Sequence, residues 1–245
     1  MIIVTGASRG IGAAVARLAA NLGPPIAVNY SRDRTRAEGV VADIVAAGGR
    51  ALAIQADISR ETDVLRLFET AEQELGALTG LVNNAGVTGG FTRVENVTVR
   101  AIEEAFSVNV TGTILCCREA VRRMSTKRGG IGGAIVNVTS TSVRTGGTGE
   151  WVHYAAAKGA VHTFTLGLAR EVADEGIRVN AVAPGLVQTD LHAANGQPDR
   201  PKRMSPSIPM LRAGRPEEIA EGVVWLLSQA ASYTTGSILE IGGGR

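Results

Sequence analysis

The sequence predicts an α/β chain: a doubly wound parallel sheet of seven strands with helices on both faces, folded as a single domain. Three observations predict it. Short β-branched and apolar runs alternate with helix-period segments from end to end, the pattern of strands joined by crossover helices. Several runs are apolar at consecutive positions, as in Ile2-Ile3-Val4, which suits strands covered on both faces. The first run leads directly into Gly6-x-x-x-Gly10-x-Gly12 and then a helical pattern, an arrangement in which glycine lets backbone approach a pyrophosphate at a helix N-terminus. With 245 residues, 44% of them apolar, the chain can bury one large core. No linker, repeat or low-complexity tract divides residues 1–245.

Taken in order, Ile2–Val4 is the first strand, and Ile11, Val15, Leu18 and Leu22 mark the inward face of the helix that Gly23-Pro24 stops. Ile26–Tyr30 is the second strand, and a helix over 33–47 ends at Gly48-Gly49. Ala51–Ala56 is the third strand. Ser59 is the expected N-cap of a helix turning Val64, Phe68, Ala71 and Leu75 inward. Leu78–Val82 is the fourth strand, followed by Asn83-Asn84-Ala85-Gly86 and one long helix over about 98–126. The basic run Arg118, Arg122, Arg123, Lys127, Arg128 at its end suits the helix dipole and solvent. Ala134–Val138 is the fifth strand, and a helix containing Tyr154 runs to about Glu175. Ile177–Val182 is the sixth strand. Pro216 opens the last helix with Glu217 and Glu218 behind it, and Ile238–Ile241 is the seventh strand. Five of the eight prolines fall between 198 and 216. Residues 190–214 are therefore expected to be irregular, either a lid over a site or a tolerated surface insertion.

The totals exclude several functions. A net charge of +2 gives no reason to expect a nucleic-acid partner. No stretch approaches the roughly 20 apolar residues that span a bilayer, and Met1-Ile2-Ile3-Val4 carries no signal-peptide pattern. Cys116 and Cys117 are adjacent and have no third cysteine to pair with, which fits a reducing cytoplasm. His153, His162 and His192 have no metal-ligand spacing, so no metal is expected; His192, in a loop, can touch a substrate.

In open α/β sheets ligands bind beyond the carboxyl ends of the strands, where the unusual residues collect. The second strand ends in Val28-Asn29-Tyr30-Ser31-Arg32, with no carboxylate at 28–32 to hold a ribose diol. Arg9 and Arg32 suit a 2′-phosphate, which favours NADP over NAD. Asp57 either accepts from an adenine amino group or caps the helix after it. Asn83-Asn84-Ala85-Gly86 suits either lining a cofactor or holding neighbouring strands together. Asn109 is a poor helix former and must act locally, by bending the helix or binding water. Tyr154 and Lys158 lie one turn apart on one helix face, and an ammonium beside a phenol pulls the phenol pKa down. Trp151 either walls a pocket or packs on a neighbouring helix.

Thr5-Gly6-x-x-x-Gly10-Ile11-Gly12, Asn83-Asn84-Ala85-Gly86, Asn109, Ser140, Tyr154-x-x-x-Lys158 and Pro184-Gly185, in that order, resemble the short-chain dehydrogenase/reductase family over essentially the whole chain. The resemblance implies a Rossmann-type sheet and hydride transfer between a nicotinamide and a carbonyl or secondary alcohol. It implies Tyr154 as general acid/base, Lys158 holding the nicotinamide ribose, Ser140 on the substrate oxygen, and Asn109 holding a relay water. It implies cofactor contacts from Gly6, Ser8, Arg9, Gly10, Ile11, Gly12, Asn29, Tyr30, Ser31, Arg32, Asp57, Ile58, Asn83, Ala85 and Gly86. Pro184, Gly185, Val187 and Thr189 would face the carboxamide. A homotetramer or homodimer, through the helices at 98–126 and 152–175, is also implied.

The chain departs from the family pattern in two places. Ser140 lies fourteen residues before Tyr154, where thirteen is common, so Thr141 and Ser142 compete with it; Ser140 is preferred because it ends the strand. Ile241-Gly242-Gly243 lacks the family's frequent aspartate. Details resemble sugar dehydrogenases and 3-oxoacyl-carrier-protein reductases, although Asp174-Glu175 would repel an acidic carrier. A non-catalytic cofactor-binding regulator is the contrasting reading, but it should have lost one of the four catalytic groups. The substrate pocket is assigned to the loops 87–96, 141–153 and 190–214.

Overall fold

A computed structural model describes residues 1–245. The strands are β1 (Ile2–Val4), β2 (Ile26–Tyr30), β3 (Ala51–Gln55), β4 (Gly80–Asn83), β5 (Gly133–Val138), β6 (Ile177–Pro184) and β7 (Ile238–Ile241). They form one sheet of order β3-β2-β1-β4-β5-β6-β7, every neighbouring pair parallel. The chain reverses direction across the sheet between β1 and β4, which creates a crevice at their carboxyl ends.

Alternate strand residues serve opposite faces. Ile2, Val4, Ile26 and Val28 pack with α1 (Gly10–Ala20), α2 (Arg34–Ala46) and, further along the chain, the helix at Pro216–Leu227. Ile3, Ala27, Leu81 and Ile135 pack against the other helical layer. That layer contains α3 (Glu61–Leu75), α4 (Val99–Phe106), α5 (Thr113–Met124) and, after the short α6 (Ser142–Thr145), the long α7 (Val152–Val172). The short helices α8 (Asp190–Ala194) and α9 (Arg200–Met204) precede α10 (Pro216–Leu227).

Several expectations are corrected. Helix α1 ends at Ala20, so Leu22 lies beyond it and is exposed. Helix α3 begins at Glu61 with Arg60 at its N-cap. Ser59 does not cap it, because its backbone N–H and hydroxyl both donate to Asp57 Oδ1. The long helix over 98–126 is interrupted by a π-helical turn at Ser107–Gly112. The basic run is not a purely solvated face: Arg118, Arg122 and Arg123 all reach Glu119, which is buried at 2% exposure. Arg118 also pairs with Glu61, and Arg123 with Glu72, so the cluster clasps α5 to α3. Residues 190–214 contain α8 and α9. Proline opens α9 rather than breaking it, because a first-turn proline gives up an N–H that has no partner there.

Candidate active site

A cleft of about 710 Å³ opens at the carboxyl ends of the strands. Its floor is the turn that follows β1. Gly6 has φ +61, and a Cβ there would lie 2.8 Å from the Ala85 backbone; one on Gly12 would lie 2.4 Å from Asn84 Nδ2. Asn84 Nδ2 donates to the carbonyls of Thr5 and Gly6, while Thr5 Oγ1 accepts from the N–H groups of Asn84 and Ala85. The two turns at the crevice therefore hold each other. Helix α1 starts at this point with no side-chain cap and no acidic residue in its first turn. Its N-terminus is left available to an anion.

Ser31, Arg32, Asp57 and Ile58 line the cleft beyond the ends of β2 and β3. Asp33 lines it as well, but its carboxylate is engaged by the Arg36 N–H at the N-cap of α2. Asp57 Oδ1 is held by Ser59. Asn29 is 1% exposed and spans the strand ends. Its Oδ1 accepts from Gly6 N–H, and its Nδ2 donates to the Ile54 and Ala56 carbonyls.

At the other end Tyr154 and Lys158 share a face of α7, with the Lys158 Nζ 5.8 Å from the Tyr154 ring centre. Lys158 Nζ donates to the Val138 carbonyl at 2.8 Å. Burial pushes the Tyr154 phenol up to about 12, against a smaller downward pull from its hydrogen bond with Ser140. Burial also brings Lys158 down to about 8. The expectation that Lys158 lowers the Tyr154 pKa is not met in this structure: burial sets the direction, the one downward pull comes from Ser140, and the ammonium is turned to the Val138 carbonyl. Ser140 Oγ accepts from the Ser142 N–H at 3.0 Å, which orients the hydroxyl. Of the three neighbouring hydroxyls it is Ser140 that meets Tyr154; Ser142 Oγ is buried without a partner.

Asn109 sits in the π-helical turn, fully buried behind the cleft. Its Nδ2 donates to the Val87 and Ala105 carbonyls, both at 2.7 Å, and its Oδ1 accepts from the Val87 N–H. A Cβ on Gly86 would stand 2.7 Å from Asn109 Oδ1 and 3.4 Å from Lys158 Nζ, so only a glycine fits between them.

A family model described as enoyl-(acyl carrier protein) reductase matches residues 6–245. The chain is 51% identical over 243 residues to the uncharacterized oxidoreductase YgfF of Escherichia coli (strain K12), covering 99% of this chain and 98% of that one. It is 37% identical to a 3-oxoacyl-[acyl-carrier-protein] reductase of a Synechocystis strain, over 99% and 95% of the two chains. A solved Serratia marcescens short-chain dehydrogenase/reductase mutant superposes with a TM-score of 0.91 at 34% identity, over 99% and 96%. The chain belongs to the short-chain dehydrogenase/reductase family. It is an oxidoreductase of the class acting on CH–OH or carbonyl groups.

In this short-chain dehydrogenase/reductase most of the expected cofactor residues line the cleft, including Ser8, Arg9, Gly10, Ile11, Pro184, Gly185, Val187 and Thr189. Three do not. Gly12 packs α1 onto Asn84, Tyr30 belongs to the hydrophobic core, and Asn83 donates to Asn137 Oδ1 between β4 and β5. Of the histidines, only His192 lines the cleft, with Nε2 3.1 Å from the Val187 carbonyl. Burial first, and then Arg200, lower its pKa. His153 is buried with both ring nitrogens unpartnered. Trp151 does wall the cleft, its ring 5.3 Å from Tyr154 and 4.3 Å from Phe91. Sequence reasoning missed Glu150, Asp190 and Arg200, which also line it. Their only signal was membership of the loops assigned to the substrate; ion pairs across such separations leave no pattern in the sequence.

Proposed function

We propose that the chain is an NADP(H)-dependent reductase or dehydrogenase of a small carbonyl or secondary-alcohol substrate. One observation carries the reading: a single cleft joins an uncapped helix N-terminus flanked by Arg9 and Arg32 to Tyr154, Ser140 and Lys158. The bound nicotinamide supplies hydride exchange with the carbonyl carbon. Tyr154 gives its phenolic proton to the carbonyl oxygen in reduction and takes it back in oxidation. Ser140, its acceptor side occupied by the Ser142 N–H, donates to the same oxygen and stabilises the charge forming there. Lys158 holds the ribose hydroxyls. The second lone pair of Asn109 Oδ1 is the place for the water that links Lys158 to solvent. Arg9 and Arg32 take the 2′-phosphate, and the engagement of Asp33 by the Arg36 N–H supports NADP over NAD.

Two finer readings accompany this one. No helix is long and apolar enough to cross a membrane, and the two free, buried cysteines support work in the reducing cytoplasm. Exposed Val99, Ile102, Phe106 and Ile114 on α4 and α5 support assembly as a homodimer or homotetramer. Reduction of an acyl-carrier thioester is the second reading. The Synechocystis relative favours it, and the repulsion expected from Asp174 is blunted by its 2.6 Å pair with Lys127.

Calorimetric titration with NADPH and NADH, followed by a carbonyl screen, tests the proposal. NADPH is expected to bind at least about tenfold more tightly, a preference of ~1.4 kcal/mol that Arg32→Ala should erode. Equal or preferred NADH binding would remove the arginine argument, and failure of both to bind would remove the NADP(H)-dependent reading. A carrier thioester far better used than any small ketone would move the chain to the second reading.

A further inference from the structure

Residues 190–214 line the cleft through Asp190, Leu191, His192 and Arg200; Asp190 is tied to Arg36 and Asn195 to Thr88, and the buried tie is made by Arg200. Arg200, at the start of α9, has only 3% of its side chain exposed. Its Nε donates to Glu150 Oε1 at 3.2 Å and its Nη2 to Glu150 Oε2. Its guanidinium carbon stands 4.6 Å from the ring centre of Trp151 and 5.4 Å from that of Phe91. The Glu150 carbonyl in turn accepts from the Thr92 N–H at 2.7 Å. All three loops expected to build the substrate pocket therefore converge on one ion pair. Both members of the pair line the cleft, and Trp151 passes the contact on to Tyr154.

We propose that Glu150–Arg200 is the latch that determines substrate size. The pair holds the 190–214 segment down and keeps Trp151 against Tyr154, which limits the space in front of the phenol to a compact ketone. The size-determining role rests on the reading of Tyr154 as acid/base; the latch itself does not. Arginine suits the position because its planar fork makes two parallel bonds to one carboxylate while its faces stack on rings. Removing Glu150 leaves a buried cation without its partner, which drives the segment open.

The test uses the full chain in a Trp225→Phe background, where Trp151 is the sole tryptophan. Glu150→Ala should expose Trp151 to acrylamide quenching and speed tryptic cleavage after Lys202 or Arg203 by at least about tenfold, since cleavage follows the open population. Adding Arg200→Met should reverse part of both changes, because the stranded charge is gone while an apolar stem remains between the rings. In turnover, Glu150→Ala should raise KM for compact ketones more than it lowers kcat, and should shift kcat/KM towards bulkier ones. Unchanged quenching and cleavage in both Glu150→Ala and Arg200→Met would overturn the latch. An opened segment with unchanged KM and size preference would overturn its role in specificity. If the segment opens as expected but the unmutated chain reduces no ketone, the reductase reading falls, and the size-determining role with it, while the latch stands.

Discussion

Tyr154 and Lys158 face each other with their protonation preferences pushed in opposite senses, the phenol up to about 12 and the ammonium down to about 8. The phenol therefore keeps its proton at neutral pH, the form that the proposed acid role in carbonyl reduction requires. Reduction should be nearly flat up to about pH 7 and fall as Lys158 loses its proton around pH 8, while oxidation, which needs the phenolate, should climb with pH. Steady-state rates in both directions check this. Tyr154→Phe should lower kcat by about 10²–10⁴-fold and leave cofactor binding intact. Lys158 also carries a stability cost. Between about pH 8 and its ordinary value of 10.5 the unfolded chain holds the proton and the folded chain does not, so stability rises with pH through that window. Below it the buried ammonium costs about 3 kcal/mol. Lys158→Met should be ~2 kcal/mol more stable at pH 7, after allowance for the Val138 carbonyl it leaves unpaired, with the gain fading towards pH 10.5. Denaturant melts at several pH values decide it. Spacing put these two residues on one helix face and the resemblance supplied their roles, but their pKa values were not legible, because they depend on how completely the fold removes water.

Glu119 shows how an element is fixed by charge. Burial alone would raise its pKa, yet hydrogen bonds from Arg123 and Arg118 outweigh burial and hold it below the usual carboxylate range. The resulting stability is present above the ordinary carboxylate value and lost as pH falls through the depressed one. Glu119→Gln should destabilise the chain by about 1–3 kcal/mol at neutral pH, measured by denaturant unfolding, because Arg118 and Arg123 keep Glu61 and Glu72 as partners, and should remove part of the acid sensitivity below about pH 4. Nothing in the spacing of five basic residues announced that Glu119 among them is buried, because burial comes from α3, which also brings Glu61 to Arg118 and Glu72 to Arg123. Elements marked by local chemistry were legible. Strand β2 spans Ile26–Tyr30 as expected, and α10 opens at Pro216 with Glu218 completing a capping box. Elements shaped by tertiary contact were not. The π-helical turn depends on Asn109 reaching Val87, and the start of α3 depends on Asp57 N–H donating to Asp63.

For the whole molecule, alternation of strands and helices was enough to give the sheet and its two layers. The cleft followed from where strands end, so the glycine turn, Asn109, Ser140, Tyr154 and Lys158 could be placed near one edge in advance. The shape of the substrate end could not, since three loops distant in sequence meet there through Glu150 and Arg200. The apolar side chains left outside on α4 and α5 belong to this scale too. Sedimentation should show a dimer or tetramer, and Phe106→Glu with Ile102→Glu should shift it towards monomer without loss of fold; a monomer in the unmutated chain would end the assembly reading. The wider turn at 107–112 ties that outer stripe to the inner chemistry. Each residue rotates a helix by about 100°, and a π turn holds more residues than an α turn. It therefore sets the angular phase between Val99, Ile102 and Phe106, which face out, and Cys116, Ala120 and Met124, which face in. Deleting one residue there would restore a regular helix while turning one stripe against the other. The direction of the outward stripe proposed for assembly is thus geared to the same local widening that holds Asn109.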